Sequence, residues 1–179
     1  SIDVIADRVL EGVSAIYALH CDPKLEVGRL GVRVGAITAA SDQVEIHLTG
    51  PGGHTARPHL TADLVYVISR VVTDLPASLS RLVDTRAALN MTFGAIEAGT
   101  VHNAIPTTAV ARGTLRVLDR AVWGEAQKLV ERILEATVAP YPQVTYRLDY
   151  QRGAPPVVND EEATAVFATA ARSAIGDEA

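Results

Sequence analysis

The order in which the apolar periodicity changes along this 179-residue chain limits its possible folds more than any other feature. Segments in which apolar residues alternate, which predict strands, lie at 36–49, 89–95, 108–118 and 144–150. Segments with helical spacing lie at 60–75 and 119–139. The order from residue 36 to residue 150 is therefore β-α-β-β-α-β. This order predicts an α+β, ferredoxin-like domain, in which an antiparallel sheet carries both helices on one face.

Three residues mark the ends of the predicted helices. Pro76 follows the last apolar residue of the first helical pattern and is expected to end that helix. Asp119 is expected to cap the N-terminus of the second helix, and Pro140 is expected to end it. Each helix then buries one apolar stripe against the sheet.

The segments on either side of this domain, residues 1–35 and 151–179, are interpreted as parts of another domain. In the first, a short amphipathic helix is predicted to end at Gly12, and the apolar strand after it is predicted to end at His20. Binding residues are commonly held at such strand ends. The second segment is predicted to begin as a proline-containing linker and to continue as a helix after Glu161.

A glycine-rich connection, Thr49–His59, joins the first predicted strand of the domain to its first predicted helix. Three glycines surround Pro51 in this connection. Glycine permits close backbone approach and proline fixes φ, so the connection is expected to hold a defined shape that presents His54 outward. A tight turn with incidental histidines is the alternative for this segment considered alone.

Composition excludes several classes of function. Hydrophobic residues make up 48% of the chain, aromatic residues only 4%, and the net charge is −5, so nucleic acid is not an expected partner. A single cysteine excludes an internal disulfide framework and fits a reducing compartment. No apolar run has the length of a membrane span. These observations predict a cytoplasmic protein without membrane or nucleic-acid partners.

A few side chains stand out as candidates for binding. His20 is the type of residue that binds a metal at a strand end, but a metal site needs three or four ligands and no second one stands at a recognisable spacing. Asn103 and Arg116, thirteen residues apart, could hold a carboxylate by charge-assisted hydrogen bonds. A turn-forming asparagine and a surface arginine are the alternative. His47 is predicted to be solvated on the polar side of its strand.

The chain contains, in this order, the motifs Ala18-Leu19-His20, Gly50–His59, His102–Pro106, Arg112–Arg116 and Ala154–Asn159. These five motifs resemble those of the M20 metallopeptidases, and the resemblance extends over nearly the whole chain. The similarity is greatest to the branch of amidohydrolases that act on N-acyl amino acids, hippurate and indole-acetyl amino-acid conjugates.

The resemblance implies a catalytic domain that binds two divalent metal ions, Zn or Mn, interrupted by a ferredoxin-like lid that forms a homodimer. Residues 36–150 correspond to the lid. By the same resemblance His20 is a metal ligand, and His54 reaches the active site of the partner subunit and stabilises the tetrahedral oxyanion. Asn103 and Arg116 correspond to the pair that holds the substrate carboxylate.

This sequence also departs from the family pattern. The family's upstream Cys-Gly-His-Asp-type motif, its Glu-Glu pair that supplies a metal ligand and the general base, and its final histidine ligand are absent. Glu161-Glu162 is interpreted instead as the acidic first turn of the predicted C-terminal helix. The resemblance therefore implies an internal portion of an amidohydrolase, with 1–35 and 151–179 as catalytic-domain segments, that by itself binds no metal and is inactive. The acyl group, the amino-acid preference, the metal and the roles of His59 and His102 stay open.

Two other interpretations remain. One is a stand-alone ferredoxin-like module that binds a small ligand, and the other is a purely structural dimerisation module, since such sheets pair edge to edge. A regulatory module has no need of His20 at a strand end or of two apolar flanks. A structural module is expected to tolerate replacement of His54.

Overall fold

The computed structural model describes residues 7–176. Its strands are β1 (Gly35–Thr38), β2 (Asp42–Thr49), β3 (Gly53–His54), β4 (Asn90–Ala98), β5 (Ala104–Ile105), β6 (Thr108–Arg116), β7 (Thr145–Gln151) and β8 (Val157–Asn159). Its α-helices are α1 (Leu64–Leu82), α2 (Arg120–Val138) and α3 (Glu161–Ile175). Short 3₁₀ turns lie at Pro58–Leu60 and Thr85–Ala87. None of the helices in this described range combines the length and hydrophobicity that a membrane span requires.

The main sheet has four strands in the order β4-β6-β2-β7, and every neighbouring pair is antiparallel. With α1 and α2 in the connections, this is the predicted ferredoxin-like βαββαβ arrangement, which the structure confirms. The register defines two ends of the sheet. At one end Thr49 lies opposite both Thr108 and Thr145, and at the other Asp42 lies opposite Leu115.

The core of this domain lies between the sheet and the two helices. Alternate side chains of β2 point inward, and Val44, Ile46 and Leu48 are all at most 1% exposed. Because successive strand residues face opposite sides, Glu45 and His47 lie on the open face. The buried stripes of the helices that cover the sheet consist of Leu64, Val67, Ile68, Val71, Leu75 and Leu79 on α1 and Ala126, Val130, Ile133, Leu134 and Val138 on α2.

The predicted N-terminal cap of α2 is present, and its contribution to the free energy of unfolding can be measured. The Asp119 carboxylate accepts a hydrogen bond of 2.9 Å from the backbone N–H of Val122. Replacing Asp119 by alanine leaves that N–H without its partner, so we expect the free energy of unfolding to fall by about 1 kcal/mol. Urea denaturation of the chain measures the change. Asp119→Asn, which keeps the capping oxygen, is the matched control and is expected to lose much less.

The prediction that Pro76 ends the first helix is wrong. α1 begins at Leu64, four residues later than predicted, and continues through Pro76 to Leu82. Proline removes one backbone hydrogen bond and crowds the preceding turn. The apolar stripe nevertheless continues beyond it, and Leu79 is fully buried. Burial of such a leucine contributes about 2–3 kcal/mol, which offsets most of the local cost of proline.

The structure divides into two units. One is Ala36–Val158, and the other contains the described residues before 36 and after 158. In the second unit α3 follows Asp160, as predicted, and the Asp160 carboxylate caps it by accepting from Ala163 N at 2.9 Å. The ring of Tyr17 stacks on that of Phe167 at 5.8 Å between centroids.

The predicted strand before His20 is wrong. Residues 13–20 form no strand, and Ile16 and Leu19 are 67% and 71% exposed. A strand is stable only when its backbone groups pair with a neighbour, and this segment has no strand partner within the described range. The predicted short helix at the N-terminus begins in residues 1–6, outside that range, and residues 7–12 form turns.

Candidate functional site

The glycine-rich connection folds into a short strand that sequence periodicity did not reveal. β3 pairs with β5 in an antiparallel bridge, with His54 opposite Ala104 and Gly53 opposite Ile105. Just beyond it, the backbone N–H of Thr55 donates to the carbonyl oxygen of Asn103 at 3.2 Å. Two predicted site residues, His54 and Asn103, are thereby brought side by side at the Thr49 end of the main sheet.

The three glycines of this connection are required for space. None of them has a positive φ. A Cβ atom on Gly52 would lie 2.5 Å from the Ile105 carbonyl oxygen, and one on Gly53 would lie 2.7 Å from Thr61 Cγ2. At Gly50 a Cβ would meet Ala62 Cβ at 2.8 Å. At Gly52 the bridge between β3 and β5 therefore depends on a close backbone approach that only glycine allows, whereas Gly50 and Gly53 leave room for the side chains of Ala62 and Thr61.

Gly52→Ala tests whether the bridge requires glycine. We expect the free energy of unfolding to fall by about 1–3 kcal/mol, because the new methyl group overpacks against a backbone carbonyl that cannot move alone. The matched control is Gly124→Ala in α2, where no atom lies within 4 Å of the added Cβ. That change should leave stability unchanged or raise it by up to about 1 kcal/mol. Urea denaturation compares the two, and equal effects would contradict a steric need for Gly52.

His54 is exposed and its ring is held by the turn that follows it. The backbone N–H of Ala56 donates to His54 Nδ1 at 3.0 Å. The N–H of Arg57 donates to the His54 carbonyl oxygen at 2.9 Å and closes a β-turn. The helix predicted to begin near Leu60 begins at Leu64, ten residues after His54. The backbone N–H of Ala56 is the group that contacts this imidazole.

Arg116 is not brought to Asn103. It is the last residue of β6 and pairs with Asn90 at the opposite end of the main sheet from Thr108. β6 is nine residues long from Thr108 to Arg116, so the Cα atoms of its two end residues are about 26 Å apart. Within one chain, Asn103 and Arg116 therefore cannot hold the same carboxylate. The predicted strand at 108–118 already separates Arg116 from the turn that carries Asn103, and the pairing of the two residues did not take the length of that strand into account.

His20 lies in the exposed, irregular segment described above. Between residues 7 and 176, no group of three or more His, Cys, Asp or Glu side chains is arranged to hold a metal ion. The donor set offered by this part of the chain does not fit a two-metal site, which needs several ligands for each ion. His59 lies in the 3₁₀ turn and His102 in the turn before β5, and both are exposed.

His47 is not simply solvated, as the alternation of its strand suggested. Its Nε2 lies 3.0 Å from Glu45 Oε1 and 3.2 Å from Asp149 Oδ2. Arg112 extends the cluster across the open face, with Nε 3.2 Å from Glu45 Oε1 and Nη1 2.6 Å from Glu97 Oε1. Hydrogen bonding to Glu97, aided by the charge of Glu45, raises the pKa of Arg112. The ion pairs of Arg112 link β6 to β2 and β4, and His47 of β2 lies against Asp149 of β7, on the side away from the helices.

Asp42 is the residue of greatest structural consequence that sequence reasoning missed. Its carboxylate is fully buried and accepts from Trp123 Nε1 at 2.9 Å, Tyr150 Oη at 2.6 Å and Gly153 N at 2.9 Å. Burial, together with the bond to Asp42, raises the pKa of the Tyr150 hydroxyl, which therefore stays a donor. A Cβ on Gly153 would lie 1.9 Å from the Ser41 carbonyl oxygen. The network joins the beginning of β2, α2 and the end of β7.

Comparison with known proteins identifies the domain that carries His54 and Asn103. Residues 36–142 match the family model of the peptidase dimerisation domain, M20_dimer. A protein of Rhodococcus jostii named glutamate–cysteine ligase 2-3 is 46% identical over 176 residues, which are 98% of this chain and 22% of that protein. The N-acetyl-L-cysteine deacetylase of Bacillus subtilis is 32% identical over 171 residues, which are 96% of this chain and 41% of that enzyme.

A solved structure agrees with these matches. A dinuclear metal-binding peptidase of the M20 family from Bacillus subtilis superposes with a TM-score of 0.74 at 25% identity, over 98% of this chain and 43% of its own. The chain thus spans between about a fifth and less than half of the length of these proteins.

Proposed function

The chain belongs to the M20 family of peptidases and amidohydrolases, and we propose that it acts as the lid of a metal-dependent amidohydrolase that cleaves N-acyl amino acids. The observation that carries this proposal is the β3–β5 bridge, which holds an exposed histidine beside Asn103 at one end of a dimerisation-domain sheet. The name of the Bacillus subtilis deacetylase supports an N-acyl amino acid as the class of substrate. Residues 151–179 and 1–35 are proposed to belong to the catalytic domain of the longer parent enzyme.

His54 has the chemistry required of an oxyanion donor. Attack on an amide carbonyl builds negative charge on its oxygen, and a preorganised N–H aimed at that oxygen lowers the barrier. With Nδ1 engaged by Ala56, the distal side of the ring is free to donate. Asn103 beside it offers an amide group that can bind a substrate carboxylate.

The metal ions of the family are proposed to supply the activated water in the parent enzyme. Because the described residues lack a fitting set of donors, their ligands must come mainly from other parts of that enzyme, with His20 proposed as one of them.

The separation of Arg116 from Asn103 supports a shared site in a homodimer. We propose that His54 and Asn103 of one subunit serve the active site of its partner, while Arg116 serves the active site of its own subunit. About 26 Å separates the two ends of β6, so Asn103 and Arg116 of one chain serve different active sites. One substrate then contacts Asn103 of one subunit and Arg116 of the other. β4 and β7, at the edges of the sheet, leave backbone groups available for pairing with a second copy.

The ligase named in Rhodococcus jostii does not change this proposal. The matching region is about a fifth of that protein, so the ligase reaction can reside in the remaining four fifths. The matching region is 41% of the Bacillus subtilis deacetylase but only 22% of the ligase, so the deacetylase is the more informative relative for this region. A cytoplasmic location remains a prediction from composition.

Hydrolysis of an N-acetyl amino acid by the parent enzyme, with added Mn²⁺ or Zn²⁺, tests the proposed function. We expect metal-dependent release of acetate from the parent and none from the 179-residue chain. Turnover by the short chain would show that the missing ligands are not required. Ligand binding by the short chain, with no hydrolysis by the parent, would instead favour a stand-alone ferredoxin-like module.

A further inference from the structure

In the turn after His54, an imidazole nitrogen accepts a hydrogen bond in the place where a backbone carbonyl oxygen would accept one. In residues 54–57 the side chain of the first residue accepts from the N–H of the third, while the carbonyl of the first accepts from the N–H of the fourth. Asparagine and aspartate commonly make this nested pair of hydrogen bonds, in which their side-chain oxygen takes the place of a carbonyl. Here histidine makes it through Nδ1.

We propose that the backbone N–H of Ala56 is a positioning group, which holds His54 as a neutral imidazole with its proton on Nε2 and aims that proton away from the turn. The inference rests on the proposed function for its catalytic meaning, but the state of the ring is a property of this chain alone. A neutral imidazole has one N–H and one bare nitrogen. Since Nδ1 accepts from Ala56 at 3.0 Å, a proton there would face the amide hydrogen, so the proton belongs on Nε2.

The same hydrogen bond fixes the direction of the donor. Nδ1 is held by Ala56, and the backbone on either side of His54 is held by the pairing with Ala104 and by the turn to Arg57. The ring therefore cannot rotate without breaking the contact to Ala56. The Nε2–H bond lies on the far side of an exposed ring, so it is available to a group outside this segment. Donors that need no reorientation during reaction are the ones that stabilise a developing charge best.

Two substitutions separate the parts of this arrangement. Ala56→Pro removes the backbone donor, and Ala56→Ser keeps it as the matched control. His54→Asn keeps an acceptor for the Ala56 N–H but has no distal N–H in the place of Nε2. In the parent enzyme we expect Ala56→Pro to lower kcat about 10- to 100-fold through misorientation. His54→Asn should lower kcat as much as His54→Ala does, although it preserves the turn.

Nitrogen NMR of the ¹⁵N-labelled chain decides the inference without any activity measurement. Above the titration range of the ring we expect one tautomer, protonated on Nε2, and a coupling across the hydrogen bond between the Ala56 amide and Nδ1. Ala56→Ser should keep both signals, and Ala56→Pro should show a mixture of tautomers. A mixture or an Nδ1-protonated ring in the unmodified chain, or no coupling, would overturn the proposal even if Ala56→Pro failed to fold.

The NMR measurement tests the positioning by Ala56, and the kinetic measurement tests the catalytic role of His54, so each claim can be refuted without the other. If the tautomer and coupling are found but His54→Asn and His54→Ala retain full kcat, the positioning holds and the proposed catalytic role of His54 is wrong. If both variants lose kcat but the coupling is absent, the catalytic role holds and Ala56 is not the positioning group.

Discussion

Replacing His54 by alanine in the parent enzyme should lower kcat by about 10²–10³-fold while leaving its metal content unchanged. The size of the effect follows from the role proposed for the ring, since removing one preorganised donor to an oxyanion costs that much in other acyl-transfer enzymes. The metal content should not change because His54 lies in the Ala36–Val158 unit and, among residues 7–176, no acidic or cysteine side chain is hydrogen-bonded to it. Steady-state kinetics with an N-acetyl amino acid and metal analysis of the same samples measure both quantities.

His47→Ala is the matched control for that experiment. It removes a histidine of the same domain that points to the open face of the sheet and contacts Glu45 and Asp149. We expect its kcat to stay within about twofold of the unmodified enzyme, since neither Glu45 nor Asp149 is among the residues proposed to act on the substrate. Equal losses of kcat in the two variants would point to a general structural effect, and full activity of His54→Ala would refute the proposed role.

Replacing Asp42 by alanine should lower the free energy of unfolding by about 3–5 kcal/mol. The change leaves three donors, from Trp123, Tyr150 and Gly153, without the fully buried acceptor that they share. Each unsatisfied buried donor costs about 1–3 kcal/mol, and the three costs lie in the lower part of that range because the donor residues are themselves only part-buried or exposed. Urea denaturation, followed by the fluorescence of the single tryptophan, measures the loss.

Glu125→Ala provides the comparison for Asp42. This carboxylate is 62% exposed and lies 3.2 Å from Lys128 Nζ one turn along α2. Exposed pairs of this kind contribute about 0.5 kcal/mol or less, so the variant should be nearly as stable as the unmodified chain. If Asp42→Ala were no more destabilising than Glu125→Ala, the hydrogen bonds of Asp42 to Trp123, Tyr150 and Gly153 would not contribute to stability as proposed.

Much of the lid could be predicted from the sequence because its elements bury one face each. The alternation of Val44, Ile46 and Leu48 and the helical spacing in α2 reflect that burial directly. The cap at Asp119 was visible for a similar reason, since a capping residue acts on an N–H only three positions away. Interactions between near neighbours leave a pattern that a sequence reveals.

Interactions between distant residues left no such pattern. Asp42 finds its partners 81 to 111 positions away, so nothing near it in the sequence indicated a buried carboxylate. The two-residue strands β3 and β5 are too short to show a period. Pro76 was misleading because the local preference of proline was outweighed by the packing of Leu79 against the sheet.

Among the predicted site residues, too, local features could be predicted from the sequence and long-range relations could not. His54 stood out because three glycines and a proline surround it, and the structure shows that these glycines are needed for close approach. Asn103 and Arg116 were paired although the alternation at 108–118 predicted the strand that holds them apart. The strand before His20 was wrong because apolar composition does not supply a pairing partner.

Mixing two inactive variants of the parent enzyme tests most directly whether each active site draws on both lids. One variant carries His54→Ala and the other Arg116→Ala, and each is expected to be inactive alone. If His54 serves the partner and Arg116 its own subunit, a hybrid dimer contains one site with both residues intact. An equal, randomly reassociated mixture should then regain about a quarter of the unmodified activity, since half of its dimers are hybrids with one working site. No recovery on mixing would mean that both residues serve the same site from the same chain, which would contradict an active site shared between the two subunits.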